Sequence, residues 1–164
     1  MSKFDNQYMM KLTQEKKKKV IDMLAKEKLV GKFNFRPDNA YAWLDTDDSF
    51  AYLTQKYFNH EKFVVRWTIV KKKKPAQHIS LMMSGEYKTV PQSKLIKAMA
   101  KYTNVKYEIT DMEVIPHTEK TGRKFYLVVV RIKCDEINNI RKMLNLQERT
   151  DMRPHITLLE KELV

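Results

Sequence analysis

From Lys62 onward the apolar residues fall into short, mostly alternating runs. In KFVVRWTIVKK, Phe63, Val65, Trp67 and Ile69 alternate with Val64, Arg66, Thr68 and Val70. That period of two predicts a strand, with Trp67 on its core side and Arg66 and Thr68 on the other. QHISLMMS predicts a second strand beyond the link KKKKP. PQSKLIKAMAKYT, opened by Pro91, puts Leu95, Ile96, Met99 and Tyr102 on one helical face. VKYEITDMEVIP and KFYLVVVRIKC predict two strands around a turn at Gly122. Residues 135–146 predict a helix begun by Asp135 with Ile137, Ile140, Met143 and Leu144 inward, and RPHITLLEKEL predicts the last strand. The order β-β-α-β-β-α-β with short links describes an α+β domain, its helices segregated against a largely antiparallel sheet.

Before Lys62 the spacing is helical. Residues 7–30 carry Met9, Leu12, Val20, Met23, Leu24 and Val30 at loosely helical intervals, and Gly31 is placed to end that helix. A turn follows around Pro37-Asp38-Asn39, and Asp45 to Asp48 are placed to cap a short helix running to Tyr57. The pattern changes near 58–62 without a low-complexity linker.

At 164 residues the chain suits one compact domain, and 43% hydrophobic residues with 3 Gly and 5 Pro describe a globular composition. The single Cys134 excludes an intrachain disulfide and a Cys-based zinc site. No run has the length of a signal-peptide core or a membrane span, so a cytoplasmic protein with no membrane partner is expected. The net charge of +12, partly in the KKKK runs at 16–19 and 71–74, attracts polyanions. Such runs are ordinarily a solvated helix face or loop. No helix joins a basic face to a strong Trp/Phe/Leu face, so phosphate-bearing ligands rank above membranes and acidic proteins.

Chemistry enters with a repeated phrase, His-Ile-Ser-Leu at 78–81 and His-Ile-Thr-Leu at 155–158. Side chains alternate in a strand, so His78 and Ser80 share one face, as do His155 and Thr157, above the apolar Ile79, Leu81, Ile156 and Leu158. Ser and Thr occupy 16 of 164 positions and His only four, so two such matches inside strand-like runs are uncommon by chance. His60 and His117 lack the phrase and read as surface residues. Two imidazoles suit phosphodiester chemistry: one takes a proton from the attacking hydroxyl and the other, protonated, gives one to the departing oxygen. Ser80 and Thr157 supply hydrogen bonds to the non-bridging oxygens. Zinc held by the two histidines is a weaker reading, because no carboxylate or Cys stands nearby at ligand spacing.

These paired H-x-(S/T)-hydrophobic strands resemble the motifs of the two-histidine (2H), or LigT-like, phosphoesterases. The resemblance covers roughly residues 62–161 and extends to element order: strand, first motif, helix, two strands, helix, second motif. It implies a bilobed α+β fold with pseudo-twofold symmetry, and metal-independent, cofactor-free cleavage or transfer at phosphodiesters. Members act on 2′,3′-cyclic phosphates, 2′-5′ linked oligoadenylates or cyclic oligonucleotide signals, and include phage and viral proteins that degrade host immune messengers. By motif position His78, Ser80, His155 and Thr157 take the catalytic roles. The implied partner is an RNA-like oligonucleotide or cyclic nucleotide.

Two segments follow from this reading: an N-terminal helical extension over 1–60 and a 2H-like domain over 61–164. Ser80 stands where Thr is more usual, which keeps the hydroxyl but frees its rotation. Parity places Lys161 on the face of His155 and Thr157, so Lys161 and Arg66 are candidates to hold a second phosphate. Tyr87 and Tyr126 are candidate platforms for a base. Two other functions fit the charge: a non-catalytic binder that sequesters a nucleotide, and a 2′-5′ RNA ligase.

Overall fold

The computed structural model describes residues 13–36, 41–83 and 85–163. Met9, Leu12 and the Pro37-Asp38-Asn39 turn lie outside them. Helix α1 spans Gln14–Leu24, opened by the Thr13 hydroxyl accepting from the Lys16 N–H and burying Val20 and Leu24. Strands β1 (Val30–Arg36) and β2 (Tyr41–Asp45) form an antiparallel pair, and helix α2 (Ser49–Gln55) follows. Next come β3 (Val64–Val65), a single turn of helix α3 (Trp67–Val70), and β4 (His78–Ser80), which carries the first histidine phrase. After a 3₁₀ turn at Glu86–Thr89 the chain makes α4 (Gln92–Lys101), β5 (Val105–Lys106), β6 (Glu108–Thr118), β7 (Lys124–Lys133), α5 (Ile137–Met143) and β8 (His155–Leu163), which carries the second.

The strands make two four-stranded antiparallel sheets, ordered β4-β2-β1-β5 and β3-β8-β7-β6. Each histidine phrase therefore belongs to its own lobe, and β4 lies against β8 where the lobes meet. One apolar core runs between them, with Phe33, Leu44, Ile79 and Leu81 from the first sheet and Met112, Val128, Val130, Ile156 and Leu159 from the second. Helix α1 covers β6, α2 covers β8, and α4 packs on β1. The opposite faces of the two sheets are left to form a groove.

Several expectations change. The described part of segment 1–60 is not all helical: Gly31 lies within β1, and β1 and β2 are the centre of the sheet that carries His78. A Cβ at Gly31 would stand 3.0 Å from the Leu44 Cβ, so the residue read as a helix stop instead lets two strands approach. The strand predicted over 62–72 is interrupted after Val65. The Glu160 carboxylate accepts from the Trp67 N–H at 2.6 Å and from Arg66 Nη1 at 3.0 Å, capping α3 from 93 residues away. Trp67 accordingly turns outward and is 40% exposed. On α4 the buried face is Leu95 and Ala98, continued by Tyr102 just past its end, while Ile96 and Met99 are exposed.

Candidate active site

His78 and His155 line one groove of about 770 Å³ together with Thr157, Tyr41, Arg36, Arg66, Thr68, Lys73 and Lys74. The two imidazoles are anchored in the same way. His78 Nδ1 lies 2.9 Å from the Ala76 carbonyl and His155 Nδ1 lies 3.4 Å from the Arg153 carbonyl, in each case the residue two before the histidine. A carbonyl only accepts, so in the neutral ring the proton sits on Nδ1 and the Nε2 lone pair is left for chemistry. The carbonyl two residues before each histidine thus favours the same tautomer at both.

Burial pushes the His78 pKa below the ordinary histidine value. The Ala76 carbonyl opposes this, and the charges of His155 and Arg36 add to it. Burial also lowers His155, with Arg131 adding to the depression against the pull of the Arg153 carbonyl and Glu113. A proton on His155 disfavours one on His78, so the two rings do not readily carry protons together.

Tyr41 was not among the sequence-derived candidates. Its hydroxyl is hydrogen bonded to Ser80 Oγ and lies 3.4 Å from His78 Nε2, and its ring meets the imidazole edge-on at 6.0 Å. Register explains the grouping: Trp43 pairs with Ser80 and Asp45 with His78, so Tyr41, Trp43 and Asp45 share the face of the histidine phrase. Trp43 stacks on Tyr41 at 5.6 Å and donates its Nε1–H to Asp45 at 2.6 Å, and Asn34 Nδ2 donates to the same carboxylate at 3.0 Å. Burial raises the Tyr41 pKa against the opposing effect of the Ser80 bond, so the phenol remains a donor near neutral pH.

The other candidates divide. Arg66 and Thr68 do line the groove, although a helical turn rather than a strand puts them there. Lys161 does not share the face of His155. The register slips between Val128 and Val129, leaving Leu158 as an extra residue, so parity inverts beyond it and Glu160 takes the groove side. Tyr126, paired with Lys161, is 1% exposed in the core and offers no surface for a base. Tyr87 packs on the core and donates its hydroxyl to the Arg36 carbonyl at 2.7 Å, so it supports a groove residue from behind. His117, expected on the surface, lines the groove near Ile115 and Leu127.

The lysine runs also separate. Lys16 to Lys19 on α1 are paired with Glu61, Asp111, Asp22 and Glu15. Lys71 to Lys74 are exposed, and Lys73 and Lys74 face the groove. Among the described residues no three His, Cys, Asp or Glu converge as metal ligands, and no helix is long and apolar enough to cross a membrane.

A two-lobed α+β fold whose groove presents two carbonyl-backed imidazoles among cations is that of a phosphate-ester enzyme. Residues 42–163, most of the chain, match the family described as the Swiss Army Knife 2H phosphoesterase domain, and the chain belongs to that family. Neither the curated proteins nor the solved structures contain a match to it.

Proposed function

We propose that this phosphoesterase cleaves an RNA-like phosphodiester without a metal, with His78 and His155 as the acid/base pair. The observation that carries this reading is the matched anchoring: both Nδ1 atoms lie against carbonyls and both rings line one groove. One Nε2 accepts the proton of the attacking hydroxyl as its oxygen bonds to phosphorus. The other, as imidazolium, protonates the oxygen released when the second P–O bond breaks. Ser80 and Thr157 hydrogen-bond the non-bridging oxygens as charge shifts onto them. Arg36, Lys73 and Lys74 hold the flanking anionic chain. Substrates of this chemistry are 2′,3′-cyclic phosphates, 2′-5′ oligoadenylates and cyclic oligonucleotide signals.

The test is incubation with EDTA of wild type and a His78→Ala/His155→Ala variant against those three classes, with products resolved by chromatography. Cleavage of one class by wild type alone is expected. Loss of wild-type cleavage on adding EDTA would overturn the metal-free mechanism. Recovery of every ligand intact, with one still bound, would make the groove a binding site instead.

A further inference from the structure

A second cavity, of about 220 Å³, adjoins the groove on the other side of His155. It is lined by Met82, Met83, Met152 and Pro154, with Ser80 and His155 forming the wall it shares with the catalytic motifs. The charged residues that line it, Asp151 and Arg153, are both exposed. Met82 is buried and Met83 is 44% exposed, so the methionines run from the floor of the cavity to its mouth.

We infer that this methionine-lined cavity holds a nucleobase of the substrate, while the phosphates run along the cationic groove. The inference rests on the phosphodiesterase reading above and names the part of the ligand that the groove leaves unexplained. Three features point to a base. A group occupying this cavity lies beside a phosphate held between His78 and His155, as a base does through its ribose. The walls are apolar and sulfur-rich, and thioether sulfur makes favourable contacts with aromatic rings. The volume is below the roughly 300–1,000 Å³ of clefts that enclose a whole drug-sized ligand, which matches one ring system rather than a nucleotide. The substrate is then a nucleotide phosphodiester recognised through both its charge and one of its bases, and not a simple alkyl or sugar phosphate diester.

The test uses protein labelled with ¹³C at the methionine methyls, assigned with Met83→Leu and Met152→Leu, and titrated with adenosine 3′-monophosphate, uridine 3′-monophosphate and ribose 5-phosphate. Imidazole resonances of His78 and His155 report phosphate binding at the same time. The nucleotides are expected to move the Met83 and Met152 methyls by ring-current shifts, whereas ribose 5-phosphate moves only the imidazole signals. Met152→Gln, which adds no charge beside His155, should weaken nucleotide binding roughly tenfold and ribose phosphate binding far less. Imidazole shifts with still methyl signals for both nucleotides would overturn the base site alone. Silence of imidazoles and methyls together would overturn the base site and the phosphodiesterase reading with it.

Discussion

The Tyr41 hydroxyl sits between Ser80 and His78, hydrogen bonded to Ser80 Oγ and 3.4 Å from His78 Nε2. Serine lacks the methyl that stiffens χ1 in threonine, so on its own it would lose more rotamer freedom in making the phosphate contact proposed for it. Tyr41 supplies the missing restraint from the neighbouring strand. Tyr41→Phe is therefore expected to lower kcat roughly tenfold with little change in KM, the size of one well-placed hydrogen bond. Ser80→Thr introduced into Tyr41→Phe should recover most of that loss. A Tyr41→Phe/Ser80→Ala double variant should be no slower than Ser80→Ala alone, because the tyrosine acts through the serine. If threonine brings no recovery and the two losses multiply, Tyr41 acts independently of Ser80.

Proton affinity sets a second expectation. Both motif histidines have folded pKa values below the ordinary value of about 6.5, chiefly through burial. In the proposed mechanism the imidazolium that serves as acid is therefore scarce at neutral pH, and kcat/KM should be greatest on the acid side of 6.5 and fall as pH rises. Stability runs the other way. Between the folded values and about 6.5 the unfolded chain binds more protons than the native one, so stability is complete above 6.5 and is lost as pH falls. The carboxylates of Glu61, Glu86, Glu162 and Asp151 are shifted downward and titrate further to acid, so pH 5.5–6.5 isolates the histidines. Urea midpoints across that interval should decline for wild type and stay flatter for His78→Gln/His155→Gln. A steeper decline in the variant would mean that the depressed histidines are not its source.

How far the sequence carried the site depended on whether local parity survived. His78 with Ser80 and His155 with Thr157 were legible because the pleat holds within each three-residue phrase. Lys161 was misplaced because one bulge at Leu158 inverts every side chain beyond it, and no local signal marks a bulge in an apolar run. Tyr41 was invisible for a different reason. Its strand reaches the first motif through the β2–β4 register, a pairing across some 35 residues that no short-range pattern encodes. The α+β class and the later helices were legible from period alone, whereas the break after Val65 depends on Glu160 arriving from the last strand.

Lys73 and Lys74 face the groove, with the Lys73 ammonium 5.1 Å from the centroid of the exposed Trp67 ring. If they touch the substrate backbone, their part in binding is counterion release. Lys73→Ala/Lys74→Ala should raise KM while leaving kcat nearly unchanged. The dependence of log KM on log salt should flatten by about 0.7 for each single-strand phosphate that the variant no longer neutralises. Lys18→Ala/Lys19→Ala, on the paired face of α1, should change neither quantity. Equal effects of the two pairs would show that net charge, not the groove, attracts the substrate.

Arg141 is fully buried on α5 and makes a bidentate pair with Glu86 at 2.9 and 2.7 Å, while also donating to the carbonyls of Leu81 and Gln147. Leu81 directly follows Ser80, so this guanidinium ties the end of the first motif strand to α5 and to the loop beyond the motif. Removing it leaves two carbonyls without their donor, and leaves the partly exposed Glu86 carboxylate with only the Met83 N–H and the more distant Arg149. Arg141→Leu is expected to cost about 3 kcal/mol, the low end of the range for deleting one member of a buried ion pair, because Glu86 keeps some water and other partners. It should lower the urea midpoint without altering the m-value. Glu86→Leu/Arg141→Leu should restore part of that loss, because removing both charges leaves no uncompensated ion to desolvate. If the double variant is less stable than Arg141→Leu, Glu86 does more than neutralise Arg141. Its second bond, accepting from the Met83 N–H at 2.5 Å, then carries the loop on its own.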